Sequence, residues 1–136
     1  MSAQTLINTL ADTARAAGRT LSTATGAERK AALQTIAAAI EARSVEILAA
    51  NAKDMEAGRA AGLNSSLLDR LLLTPERIQG IAGGARQVSE LPDPLGNTLR
   101  KSTLPNGIKL EQISVPFGVI GMVYEARPNV TVDAAV

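Results

Sequence analysis

The sequence contains no cysteine and no histidine. The first absence excludes disulfides and thiol chemistry within these residues. The second removes the side chain most often used as a general base or metal ligand. Aromatic residues are almost as scarce, with one Phe and one Tyr. The 46% of apolar residues must therefore build a core from Ala, Leu, Ile and Val, which suits closely packed helices. Neither sign of charge is in excess: 14 basic residues face 13 acidic ones, for a net charge of +1. That balance gives no argument for a nucleic-acid partner or an acidic partner surface. No window approaches the run of about 18 apolar residues that a membrane-spanning helix needs. Asp12 and Arg15 interrupt the apolar positions near the start, so nothing there reads as a signal peptide. The expectation is a soluble, cytoplasmic protein without membrane or nucleic-acid partners. Its 136 residues are enough for one ordinary domain.

The first ninety residues read as helices. Leu6, Ile7, Leu10, Ala14 and Leu21 fall near one face of a helix over 3–22. Thr25 and Glu28 have the spacing of a capping box. The helix that follows carries Leu33, Ile36, Ile40, Ile47 and Leu48, and either continues or restarts at Ser44. Asn51 reads as the cap of a short helix that Gly62 ends. Asn64 or Ser65 caps another helix, rich in leucine. Thr74-Pro75-Glu76 starts a last one, with proline at the first helical position, where its missing N–H costs nothing. Ile78, Ile81, Ala82, Ala85 and Val88 form one side of that last helix. Gly80, Gly83 and Gly84 lie inside it, each costing about 1 kcal/mol against alanine, and they predict close backbone packing. A phosphate-binding glycine loop does not fit, because no strand precedes these glycines and their spacing is wrong.

Leu91-Pro92-Asp93-Pro94-Leu95-Gly96 breaks the helical pattern. Asn106-Gly107 then predicts a hairpin with strands over 98–104 and 108–115. Val119, Ile120, Gly121, Met122, Val123 and Tyr124 follow as an uninterrupted apolar run of strand length. A run with no polar alternation predicts a strand covered on both faces. Next comes a polar elbow, Glu125-Ala126-Arg127-Pro128-Asn129. Arg127 precedes proline and is biased toward extended backbone. Asn129 or Thr131 can cap a new helix, with Asp133 in its first turn. In open α/β sheets, ligands sit at the carboxyl end of such a strand.

The run VPFGVIGMVYEARPNVTVDAA at 115–135, with LDRLLLTPERI at 68–78 and LPDPLG at 91–96, resembles the γ-glutamyl phosphate reductases (glutamate-5-semialdehyde dehydrogenases) of the aldehyde dehydrogenase superfamily. YEARPNVTVDAA is the most specific part; the alanine-rich helices before residue 60 carry little. The resemblance implies an α/β fold, seen here as a helical layer, a β-hairpin arm and the first parallel strand of an NADP-binding domain. On that reading residues 1–96 are the helical part of the NADP-binding domain. Residues 97–115 are the hairpin, which serves as an oligomerisation arm or else packs within its own subunit. Residues 116–136 are the first strand, elbow and helix start of the nucleotide-binding domain. One strand cannot make a sheet, so the expectation is a piece of a longer polypeptide.

The activity implied by the resemblance is NADPH-dependent reduction of L-glutamyl 5-phosphate to L-glutamate 5-semialdehyde in proline biosynthesis. That chemistry uses a cysteine nucleophile, so these 136 residues are expected to be inactive alone. The resemblance further implies a homo-oligomer and substrate channelling with glutamate 5-kinase. Of the site residues, it implies Asn129 as an oxyanion donor; the charges of the implied substrate make Arg127 and Glu125 candidates to bind it, and Tyr124 and Ala126, at the end of the strand, are candidates for the cofactor. No metal is implied. One departure stands out. Laid without gaps on the superfamily pattern P-x-G-V-x-x-x-x-x-P-W-N, the sequence puts Arg127 where asparagine is expected, and Asn129 aligns only with a two-residue insertion. Asn129 then remains either an oxyanion donor or a helix cap. Arg127 is either a substrate ligand or the partner of Glu125 or Asp133 in a salt bridge, and Tyr124 either lines the nicotinamide site or packs. Two rival readings are another acyl-reducing aldehyde dehydrogenase, against which YEARPN argues, and a non-catalytic helical module whose hairpin pairs with a partner.

Overall fold

The computed structural model describes residues 2–125 and 127–136. The chain divides into two compact units, one of residues 1–26 with 92–121 and one of residues 27–91 with 122–136. The order of elements follows the sequence: helices first, then a hairpin, then an extended run.

In the first unit, α1 (Ala3–Thr23) begins where the Ser2 hydroxyl accepts from the Thr5 amide at 3.1 Å. Its apolar residues Leu6, Ile7, Leu10 and Leu21 are exposed. The hairpin pairs β1 (Thr98–Thr103) with β2 (Lys109–Ile113) antiparallel, with Lys101 opposite Glu111 and a bulge near Leu99. The Lys101 ammonium lies 2.7 Å from the Glu111 carboxylate. Between the strands, the Gly107 amide donates to the Leu104 carbonyl and the Leu104 amide to that of Ile108, each at 2.9 Å. Pro105 supplies the fixed φ of a tight turn, and Gly107 at φ 86 supplies the left-handed residue that closes a three-residue loop.

The second unit holds the remaining helices. α2 (Gly26–Ala42), whose first residue belongs to the other unit, and α3 (Ser44–Ala60) are separated only by Arg43, whose ψ of 16 interrupts the helix. The sequence reading of Asn51 as a cap is corrected here. α3 runs through Asn51 without a break, and the side chain is buried in mid-helix. The amides ahead of it are already bonded within the helix, so its amide group turns to the end of α4 instead. α3 does end at Gly62, where the Leu63 amide reaches the Gly58 carbonyl and the Gly62 amide that of Arg59, each at 3.0 Å. Gly62, at φ 75, takes the left-handed position of this double-bonded helix end.

α4 (Ser65–Leu71) is capped by Asn64, which accepts from the Leu67 amide at 3.0 Å. α5 (Pro75–Ser89) is capped by Thr74, which accepts from the Arg77 amide at 3.2 Å, with Pro75 in its first turn. The short α6 (Val130–Asp133) lies against α5. Ala37, Ala82 and Ala85 form a buried cluster, with Ile40 and Val136 packed against it, and Ile78 and Met55 are also buried. The α5 face predicted from the 3.6-residue period is thus the one that supplies Ile78, Ala82 and Ala85. Gly80, Gly83 and Gly84 depart from expectation. A Cβ added at any of them would meet nothing within 4 Å, so no neighbouring backbone among the described residues requires their small size.

Two ion pairs tie α2 to α5. Arg86 donates to both carboxylate oxygens of Glu41, at 2.6 and 2.5 Å, and Lys30 reaches Glu90 at 2.6 Å. The hydrogen bonds from Arg86 hold the Glu41 carboxyl below its ordinary 4.5, and the one from Lys30 does the same for Glu90. A carboxyl whose pKa falls on folding contributes stability above its unfolded value. That contribution is lost as the pH drops through the lower folded value. Glu41→Gln is therefore expected to lower the thermal unfolding midpoint slightly at neutral pH and to converge with the parent protein in acid. Thermal melts across that pH range check it; an equal deficit at every pH would rule out the ion pair as the cause.

The apolar run at 119–124 differs from the sequence expectation of a covered strand. Among the described residues it forms no strand; Val123 is fully exposed and Met122 more than half so. A strand needs a neighbour for its ladder of hydrogen bonds. The only sheet among the described residues is the hairpin, and its two strands pair with each other.

Candidate active site

Within the second unit, an open cavity of about 450 Å³ is bounded by the end of α4, the start of α5 and the elbow before α6. Arg127, Pro128, Asn129 and Asp133 line it from the elbow and α6, Asp69 and Arg70 from α4, and Arg77, Gly80 and Ile81 from α5. Two of the residues singled out in the sequence, Arg127 and Asn129, are brought together here. Tyr124 and Glu125 do not line the cavity. Ala126 lies outside the described residues.

Local hydrogen bonds set the elbow. The Arg127 carbonyl accepts from the Val130 amide at 3.1 Å, and the Asn129 carbonyl accepts from Val132 and Asp133, each at 3.0 Å. The Tyr124 hydroxyl and the Thr131 hydroxyl are 2.6 Å apart, which ties the end of the apolar run to α6. Asn129 stands at the N-cap position, yet its side chain caps nothing. Its amide nitrogen instead donates to the Asp133 carboxylate at 2.8 Å. The backbone there is already helical, with φ −62 and ψ −30, whereas a capping side chain needs an extended residue behind it.

The charges around the cavity differ in how they are engaged. The Arg77 guanidinium donates to the Leu72 carbonyl at 2.8 Å, to the Asp69 carboxylate at 2.7 Å, and to the Asp69 carbonyl. It therefore closes the carbonyl end of α4 and is fully engaged in structure. Asp69 is neutralised by that contact, and Asp133 is engaged by Asn129. Neither Arg70 nor Arg127 forms an ion pair among the described residues, and both side chains are exposed. The salt bridge from Arg127 to Glu125 or Asp133 does not form. Two unpaired guanidiniums on one cavity, beside a carboxamide with a spare N–H, make a surface suited to an anionic ligand.

The sequence pointed to Arg127 and Asn129 through the motif that contains them. Arg70, Asp69 and Arg77 went unnoticed as site residues. They are charged positions at the end of a leucine-rich helix and the start of the next, and the available signal was their place inside LDRLLLTPERI. Among the described residues, no group of three or more His, Cys, Asp or Glu side chains could hold a metal ion, and no helix is long and apolar enough to cross a membrane.

No protein-family model matches the chain. Individual proteins do. A γ-glutamyl phosphate reductase of Geobacillus thermodenitrificans is 54% identical over 124 residues, which are 91% of this chain and 30% of that protein. One of Anoxybacillus flavithermus is 61% identical over 108 residues, 79% of this chain and 26% of that protein. Among solved structures, the γ-glutamyl phosphate reductase of Thermotoga maritima aligns with a TM-score of 0.88 and 38% identity, covering 92% of this chain and 30% of that one. The Saccharomyces cerevisiae enzyme aligns with a TM-score of 0.86 and 33% identity, over 98% of this chain and 33% of that one. The chain thus spans about 30% of the length of the curated relatives it matches. Over the residues matched, in sequence and in fold, the chain is similar to the γ-glutamyl phosphate reductases.

Proposed function

We propose that this chain is the part of a γ-glutamyl phosphate reductase that supplies the helical layer, the hairpin and the substrate-facing elbow. The reaction is the reduction of L-glutamyl 5-phosphate to L-glutamate 5-semialdehyde with release of phosphate, a step of proline biosynthesis. The observation that carries this reading is the unpaired Arg127 beside Asn129 on one cavity, in a chain 54% identical to a protein of that name. The substrate bears a phosphoryl group and an α-carboxylate, and a guanidinium meets either with two parallel hydrogen bonds. Asn129 is the donor for the oxygen that gains charge as the acyl phosphate is attacked. Glu125, exposed on the same elbow, is the candidate partner for the substrate amine.

NADPH, the cofactor proposed, supplies the hydride. Tyr124 is half exposed while its hydroxyl is held by Thr131, so its ring offers a fixed apolar face near the elbow, as a nicotinamide neighbour requires. Ala126 is proposed for the same neighbourhood from the motif alone. The thiol nucleophile is supplied by residues outside this segment, which has no cysteine. The assignment of residues 1–96, 97–115 and 116–136 to helical part, oligomerisation arm and start of the nucleotide-binding domain belongs to this proposal. So do assembly into homo-oligomers through the hairpin, channelling with glutamate 5-kinase, and a cytoplasmic location. The hairpin's exposed Leu99, Ile108, Leu110 and Ile113 support the arm.

The test is an assay of the protein expressed from the complete reading frame, run in the oxidative direction. L-Glutamate 5-semialdehyde, inorganic phosphate and NADP are expected to yield NADPH, with a rate that vanishes without phosphate. A rate indifferent to phosphate would rule out acyl-phosphate chemistry.

A further inference from the structure

We propose that Arg70 is a second anion-binding side chain of the same cavity, holding the substrate's α-carboxylate while Arg127 takes the phosphoryl group. The inference rests on the reaction proposed above, and no residue of α4 has a role in that reading. It starts from the charges. The cavity is lined by three guanidiniums, Arg70, Arg77 and Arg127, and two carboxylates, Asp69 and Asp133. Arg77 is spent on Asp69 and the carbonyls that end α4. Asp133 is spent on Asn129. That leaves Arg70 and Arg127 without a partner among the described residues, on different elements, facing one open space.

The division of labour follows from the substrate. Its phosphoryl group is attached to the carbonyl that reacts, and its α-carboxylate lies at the other end of a short carbon chain. Arg127 is two residues from Asn129, the donor proposed for the reacting carbonyl, so the phosphoryl end falls to Arg127. The far carboxylate falls to the cation contributed by the other wall, Arg70. A lysine would give a point charge, whereas the guanidinium fork also fixes the orientation of a carboxylate. Arg70 does stand in the last turn of α4, where a cation also suits the helix dipole. That role by itself would give no preference between substrates with and without a carboxylate.

The experiment compares two aldehydes with the complete protein, phosphate and NADP: L-glutamate 5-semialdehyde, and 4-aminobutanal, which lacks only the α-carboxylate. The readout is the ratio of their kcat/KM values. Losing one charge-assisted contact is expected to shrink the wild-type preference for the semialdehyde about tenfold to a hundredfold in Arg70→Ala, chiefly through KM. Arg70→Lys is expected to recover part of it. Arg70→Gln keeps the length of the side chain and gives the same answer if the alanine variant folds poorly, as checked by circular dichroism. An unchanged preference, whether both rates hold or both fall together, overturns the inference and leaves Arg70 a helix-end residue. A wild-type protein that fails to turn over the semialdehyde with phosphate sinks the proposed reaction itself, a result distinct from an active enzyme whose preference Arg70→Ala leaves alone.

Discussion

Asn51→Ala is expected to destabilise the protein by about 3 kcal/mol, since it leaves two poorly solvated backbone groups without partners at about 1–3 kcal/mol each and regains only a few tenths in helix propensity. The Asn51 side chain is 4% exposed. Its amide nitrogen donates to the Leu71 carbonyl at 2.8 Å, and its oxygen accepts from the Leu73 amide at 2.7 Å. These two groups flank Leu72, where α4 stops and the chain extends toward Thr74. One carboxamide therefore substitutes for the bonds the backbone loses when the helix ends. Aspartate is no remedy, because it keeps the acceptor for Leu73 but sets a carboxylate against the Leu71 carbonyl. Equilibrium denaturation checks the effect: the midpoint should fall at an unchanged dependence on denaturant. A loss no larger than that of an exposed helical Asn→Ala would mean that water replaces both bonds. The consequence reaches the cavity, since Asn51 fixes the end of the helix that carries Asp69 and Arg70.

Asn51 also marks the limit of what local sequence can say. Asn64 and Thr74 were legible as caps because each bonds an amide three residues ahead. Gly62 and Asn106-Gly107 were legible for the same reason: the turn each makes is decided within a few residues. Asn51 has the same residue type as Asn64, but its partners lie 20 and 22 residues away, and no local pattern separates the two cases. The glycines of α5 failed in the opposite direction. Their cost to the helix is a local fact, but the packing expected to explain it would be tertiary, and among the described residues a Cβ added at any of them would meet nothing within 4 Å. The run 119–124 is apolar enough to be covered, yet coverage of a strand is a property of its neighbours. Arg127 and Asn129 could be found because a motif holds both. Arg70 could not, since a cation on a short exposed helix looks like a solvated one until the fold sets it across a cavity from Arg127.

The second large effect is catalytic and rests on the proposed reaction. Asn129→Ala in the complete protein is expected to lower kcat by about a hundredfold to a thousandfold, the usual cost of removing one preorganised donor to a developing oxyanion. A carboxamide has two N–H groups. One is held by Asp133 at 2.8 Å, which orients the side chain and leaves the other to donate. This division gives the residue two separable parts. Asn129→Asp removes both donors and places a negative charge beside the one that forms, so it should fall at least as far as alanine. Asp133→Ala leaves both N–H groups in place but frees the side chain to rotate, so it should cost less, through lost orientation rather than a lost donor. A helix cap would behave otherwise. Its loss would lower the melting temperature and leave kcat alone, and the absence of any capping bond from Asn129 argues that the melting temperature of the alanine variant will hardly move. Steady-state kinetics beside thermal melts on the three variants separate the two roles, and an unchanged kcat in Asn129→Ala would assign the oxyanion to some other donor. Arg127 is the first to consider in that case, because it lies two residues away, lines the same cavity and forms no ion pair among the described residues. A guanidinium placed there can meet a phosphoryl oxygen and the developing oxyanion together, whereas Asn129, with one N–H held by Asp133, has a single N–H to offer.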